Sequence, residues 1–226
     1  MFETNLMGKK KNPAGNLLFH FDGVNNSTTF PNEYPNSPQV ASVLGAPKIS
    51  NKYSKFGGTS IALVKEQLTL SSKITLNGDY TIECFIYLEV LPPNTRTAIA
   101  SNSKAVSGDP IHMALTLTPK TTTYVAGLWI APNLVSKISQ SAGLPLNQWN
   151  HIASVRKGDR YMVFESGIMV IDITSPVVPV IITGLFGWLL ANRDYSATGW
   201  IDEFRLLDGK AEYFANFTPP TTPFTI

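Results

Sequence analysis

From Tyr80 to Val90 the chain reads YTIECFIYLEV, and its side chains alternate with period two. Tyr80, Ile82, Cys84, Ile86 and Leu88 fall on one face of an extended strand, and Thr81, Glu83, Phe85, Tyr87 and Glu89 fall on the other. The β-branched and aromatic content suits a pleated, half-buried surface rather than a helix. Leu-Pro-Pro-Asn at 91–94 stops the run. Strand signals recur in LLFHFDG (17–23), GGTSIALV (57–64), LTLSSKITL (68–76), IHMALTLT (111–118), TYVAGLWIA (123–131), WNHIASVRKGDRYMVFESGIMVIDI (149–173) and GWIDEFRLL (199–207). Within the longest of these, RKGDR is a tight turn between two strands and predicts a hairpin. No 12-residue window carries a helical stripe. Short strands at even spacing, separated by Gly, Pro and Asn turns, predict an all-β sandwich or barrel.

The 226 residues fit one large β domain, and no internal repeat or low-complexity linker divides them. Charged residues make up 15% of the chain, well below the usual quarter or so, so Thr, Ser and Asn must cover much of the surface. The net charge of +2 comes without a long basic run. Lys9-Lys10-Lys11 reads as a solvated basic tip, which sets nucleic acid aside as a partner. The single cysteine, Cys84, rules out an intrachain disulfide and any CxxC site. His20, His112 and His151 stand far apart in sequence and form no metal-ligand motif. No signal peptide is visible at the N-terminus. The longest apolar run, PVVPVIITGLFGWLLA, is broken by Pro and Gly, so membrane insertion is not expected. Residues 1–16 lack a core pattern and read as an N-terminal arm; residues 17–226 read as the folded domain.

LLFHFDG, KFGGTSIAL, DYTIECFIYL, LPLNQWNHIASVRKGDRYMVFESG and GWIDEFRLLDGKAEYFANFTPPTTPF together resemble the concanavalin A-like lectin/glucanase superfamily. The nearest branch is the laminin-G-like jelly roll of bacteriophage virion proteins, and the resemblance covers residues 17–226. It implies a two-sheet antiparallel jelly-roll sandwich whose concave face and loops bind sugars in many relatives. The sequence departs from the family pattern at Cys84, where a Trp is common, and at Glu165-Ser166-Gly167, where Asn-Gly is usual.

Uniform alternation through WIDEFRL places Trp200, Asp202, Phe204 and Leu206 on the core face and Ile201, Glu203 and Arg205 on the other. A carboxylate beside a core needs strong partners. Two readings of Asp202 follow: it caps backbone N–H groups at a sheet end, or it helps to hold a structural calcium through hard oxygen donors. Asp22, on a terminal strand, is the second calcium candidate. The resemblance implies a calcium that ties the terminal strands to an early glycine-containing loop, here Gly57-Gly58. Glu203 and Arg205, two apart on the outer face, are candidates either for binding or for a surface ion pair of small value.

Glycosidases need two carboxyls roughly 5–10 Å apart. The glucanase branch places its carboxylates on one strand as Glu-x-Asp-x-x-Glu or Glu-x-Asp-x-Glu, and neither spacing occurs here. No GxSxG motif is present either, so no catalytic residue is assigned. Exposed aromatics offer faces on which the C–H patches of a sugar stack. The carbohydrate-binding candidates are Phe85 and Tyr87, together with Trp188, Asn192, Arg193, Asp194 and Tyr195 in the segment 185–200. Trp149 reads as a core residue, and SPVVPVIITGLFGWLL as either a core cover or an oligomer contact, with its two prolines arguing against a central strand.

These features point to a non-enzymatic structural or adhesive subunit of a phage virion, bearing a lectin-like domain for host-surface glycans. Its expected partners are other virion proteins and further copies of itself, with the arm as anchor. A free carbohydrate-binding module or lectin is the alternative; a glycoside hydrolase is disfavoured by the missing carboxylate spacing.

Overall fold

The computed structural model describes residues 15–64, 67–91, 97–102, 112–130, 135–187 and 198–226. These residues form sixteen strands and no helix. In chain order the first eight are β1 (Leu17–Phe19), β2 (Val40–Leu44), β3 (Lys48–Ser50), β4 (Ser60–Val64), β5 (Gln67–Leu76), β6 (Tyr80–Tyr87), β7 (Thr97–Ser101) and β8 (His112–Pro119). The second eight are β9 (Thr123–Ile130), β10 (Val135–Ile138), β11 (Leu144–Pro145), β12 (Trp149–Lys157), β13 (Arg160–Glu165), β14 (Ile168–Thr174), β15 (Val180–Leu185) and β16 (Thr198–Asp208).

The strands make two antiparallel sheets of eight. The first runs β14-β13-β12-β6-β16-β4-β3, with β1 added on β16; the second runs β10-β9-β8-β7-β15-β5-β2, with β11 added on β9. Their inner faces enclose one main core, to which β6 contributes Tyr80, Ile82, Cys84 and Ile86 as its alternation predicts, continued by Leu88 just beyond the strand. Each such side chain, fully buried, contributes about 1.5–3 kcal/mol relative to exposure. The architecture is the expected all-β two-sheet sandwich.

RKGDR forms the β12–β13 hairpin, with Gly158 at φ +57°. Asp79 braces this turn by accepting the Gly158 N–H at 2.8 Å and the Lys157 ammonium at 2.6 Å. The next turn, β13–β14, places Ser166 and Gly167 at φ +47° and +82°, so the family's usual Asn-Gly geometry is kept without the Asn. Arg156 is wholly buried and donates to the carbonyls of Leu76, Gly78 and Val178.

Three expectations are corrected. The apolar segment after Pro176 does enter a sheet interior: β15 starts just past Pro179 and lies between β5 and β7, because both prolines precede the ladder. Its Val180, Ile182 and Leu185 are buried in the core. Trp149 is not in the core but half-buried on the outer face of the first sheet, since β12 points Ile152 and not Trp149 inward. Finally, alternation along β16 breaks at a bulge. Asp202 pairs with Phe85 and Arg205 with Glu83, so β16 spends three steps where β6 spends two. Glu203, at φ +53°, absorbs the extra residue. Ile201, Phe204 and Leu206 face the core, while Trp200 and Arg205 face outward.

The arm boundary also moves. Gly15 packs against Asp208, and buried Asn16 accepts the Asp208 N–H through its side-chain oxygen at 2.9 Å, so both belong to the folded body. The remainder of the arm, residues 1–14, lies outside the described residues.

Candidate functional site

Register stacks the outward residues of β12, β6 and β16 into rows across the first sheet. One row is Trp149–Tyr87–Trp200, the next His151–Phe85–Asp202, and the next Ala153–Glu83–Arg205. The three rows have different surroundings.

The last two rows are roofed by the C-terminal segment after β16. Tyr213 and Phe217 stack with centroids 3.6 Å apart, and Phe217 packs on His151 and Phe164. Phe224 packs against Phe85, and the Arg205 guanidinium lies 4.2 Å from its ring. Polar latches fix this strap. Glu83, fully buried, accepts from Arg205 at 2.6 and 2.9 Å and from the Tyr213 hydroxyl at 2.8 Å, and pairs with His151 Nε2 at 3.0 Å. Burial alone would raise its pKa, but His151 and Arg205 outweigh that and hold the carboxyl below its ordinary range. Glu203 accepts the Phe224 N–H at 2.7 Å and bonds His20 Nδ1 at 2.7 Å, which raises the His20 pKa. The bulge is why Arg205 pairs with Glu83 and not with Glu203 as expected.

Phe85 therefore faces outward as the alternation requires but is only 3% exposed under Phe56, His151 and Phe224, leaving no free face for a sugar. Trp188, Asn192, Arg193, Asp194 and Tyr195 lie outside the described residues.

Among the described residues, the C-terminal segment leaves the Trp149–Tyr87–Trp200 row partly exposed. All three rings are half-buried, and the β3–β4 loop adds Tyr53. Tyr53 stacks on Tyr87 at 4.2 Å, and Trp200 stands edge-on to Tyr53 at 4.7 Å. Trp149 meets Tyr87 at 5.7 Å. Lys52 Nζ sits 4.7 Å from the Trp200 ring and 5.0 Å from the Tyr53 ring. It also donates to both oxygens of Glu89 at 2.9 and 3.2 Å, and the Tyr53 hydroxyl donates to Glu89 at 2.9 Å. The result is an aromatic patch with a charged, hydrogen-bonding rim. The sequence singles out Tyr87 but not its partners, because uniform alternation points Trp200 inward and Trp149 reads as core. Recognising the bulge would have recovered Trp200.

Asp202, fully buried, accepts the Lys55 and Phe56 N–H groups through Oδ2 at 2.7 and 3.1 Å, as the capping reading predicts. Its Oδ1 is buried and has no hydrogen-bond partner among the described residues. Burial, opposed by those two N–H bonds and reinforced by the charges of Glu203 and Asp22, pushes its pKa up to about 7. The Asp22 carboxylate lies against Gly57, where a Cβ would sit 1.9 Å from Oδ1. Burial raises the Asp22 pKa as well. Asp202 Oδ1 and the Asp22 carboxylate are the hard oxygen donors that a calcium would take here. Among the described residues no three His, Cys, Asp or Glu side chains converge to hold a metal.

A search of curated proteins finds no match. Among solved structures, the chain is similar to domain 4 of a GH43 extracellular arabinanase from Geobacillus stearothermophilus in complex with arabinotriose. The TM-score is 0.62 at 16% identity, over 87% of this chain and 93% of that one. It is also similar to a native heptameric SAP-like pentraxin from Limulus polyphemus, with TM-score 0.50 at 15% identity, over 65% of this chain and 71% of that one. A Trypanosoma rangeli sialidase gives TM-score 0.59 at 13% identity over 88% of this chain, which spans only 30% of the sialidase. At these identities the likeness is one of fold. A family model described as the concanavalin A-like lectin/glucanases superfamily matches residues 61–211, well over half of the sequence. The chain therefore belongs to the concanavalin A-like lectin/glucanases superfamily.

Proposed function

We propose that this chain is a non-enzymatic carbohydrate-binding domain that serves as an adhesive subunit of a phage virion. The observation that carries the binding half is the partly exposed row Trp149–Tyr87–Trp200 with Tyr53 stacked on Tyr87. Aromatic faces take the C–H patches of a pyranose, and the Lys52–Glu89 rim supplies donors and acceptors for its hydroxyls. The buried carboxylates of the other rows support binding over hydrolysis. Glu83 is engaged by Arg205, His151 and Tyr213, and Glu203 by His20 and Phe224, so neither is free to attack or protonate a glycoside. A structural calcium at Asp22 and Asp202 belongs to the same proposal, joining the loop at Gly57 to β16.

The virion half rests on the resemblance of the terminal stretch GWIDEFRLLDGKAEYFANFTPPTTPF to phage jelly rolls, with particle proteins and further copies of the chain as partners. A second reading, a carbohydrate-binding module of a larger enzyme, is favoured by the 93% coverage of the arabinanase domain. A glycan array probed with the wild type, Tyr87→Ser and Trp200→Ser tests the binding half. Loss of binding in both variants, with the β spectrum in circular dichroism retained, is expected; undiminished binding would overturn it. Mass spectrometry of purified particles from the source separates the two contexts: presence in the particle supports the virion reading, and absence overturns it.

A further inference from the structure

We infer that the glycan taken by this patch carries a free amino group, whose ammonium replaces that of Lys52 between the aromatic rings and Glu89. The inference rests on the reading that the patch binds glycan. Lys52 already shows where a cation sits. Its Nζ lies over Trp200 and Tyr53 at 4.7 and 5.0 Å and contacts both Glu89 oxygens. Two π faces and a carboxylate converging on one ammonium form a cation site.

The parts of this site differ in how firmly they are held. Trp200 is set by its ladder pairing with Tyr87, and Tyr53 by stacking on the same ring. The Glu89 carboxylate is further oriented by the Tyr53 hydroxyl. Lys52 hangs from a loop on a flexible side chain that is 54% exposed, so it swings out to water easily. The lysine thus acts as an internal stand-in for the ligand's cation. A hexosamine offers both required features, an apolar ring face for Tyr87 and Trp149 and an ammonium for the site. Its N-acetylated form loses the charge, and a uronate would meet Glu89 with like charge.

Calorimetric titration with a β-linked glucosamine oligosaccharide and its N-acetylated counterpart tests this. The wild type should prefer the free amine by about fivefold. Lys52→Met, which vacates the site, should tighten amine binding by about threefold. Glu89→Gln should abolish the preference. Lys73→Met removes the same charge from an exposed position on β5 of the other sheet and should change nothing. Equal binding of both sugars, lost in Trp200→Ser, would overturn the amino specificity and leave the glycan reading standing. Failure to bind any glycan would overturn both.

Discussion

Glu203 accepts the backbone N–H of Phe224 at 2.7 Å while held at φ +53° by the bulge in β16. One strained residue thus turns its carboxylate to the C-terminal strap and to His20. Left-handed backbone costs a non-glycine residue about 1–2 kcal/mol. Losing the carboxylate leaves a buried N–H unpaired, at about 1–3 kcal/mol. Glu203→Ala should therefore destabilise the fold by about 1–3 kcal/mol, and Glu203→Gly by about 1 kcal/mol less, because glycine relieves the backbone. Urea unfolding measures both; equal losses would mean that the bulge stores no strain.

The strap is closed at its other end by Gly167. Its carbonyl accepts the Phe217 N–H at 2.9 Å, and a Cβ at Gly167 would lie 2.0 Å from the Phe217 carbonyl oxygen. With φ at +82°, Gly167→Ala is penalised twice. A loss of more than about 2 kcal/mol is expected. Faster amide exchange at Phe217 and Tyr213 should accompany it, and unchanged exchange there would place the damage elsewhere.

Acid should loosen the same strap through Glu83. Its carboxyl is held below the ordinary value of 4.5 by His151 and Arg205, so the folded state favours the ionised form. That stabilisation is fully present above the unfolded-state value and is lost as pH falls through the lower folded value. Wild-type stability should fall below about pH 4.5, and Glu83→Gln should be less stable at neutral pH but flatter over that acid range. Parallel pH profiles for the two proteins would remove Glu83 as the titrating group.

Calcium at Asp22 and Asp202 makes a separate prediction. A ion bound only by the native state, at a free concentration near one hundred times its dissociation constant, adds about 2.7 kcal/mol. Thermal unfolding should shift downward with chelator in the wild type, and Asp202→Asn should show no shift. An identical melting curve with and without chelator would leave Asp202 as a backbone cap for Lys55 and Phe56.

Alternation in YTIECFIYLEV gave the inner face of β6 correctly because period two is a local property of extended backbone and needs no partner. The hairpin at RKGDR and the all-β class were legible for the same reason. What became of the outward face was not legible. Phe85 and Tyr87 are two residues apart on one strand, yet Phe224 arrives from the far end of the chain to cover Phe85, while Tyr87 stays half-buried among Tyr53, Trp149 and Trp200. The bulge at Asp202–Arg205 moved Trp200 outward and Glu203 toward His20, and nothing in WIDEFRL marks it. A bulge is stabilised by what its side chains reach, here Lys55, Phe56 and Phe224, all distant in sequence. The sequence by itself determined the all-β class and the inward face wherever alternation runs unbroken, as in β6, since backbone sterics decide those one residue at a time; it did not determine β15 or the inward face of β16. Only the tertiary structure decided which rings share a row, which are roofed and which meet solvent, since register and coverage are set by contacts between strands that sequence distance does not encode.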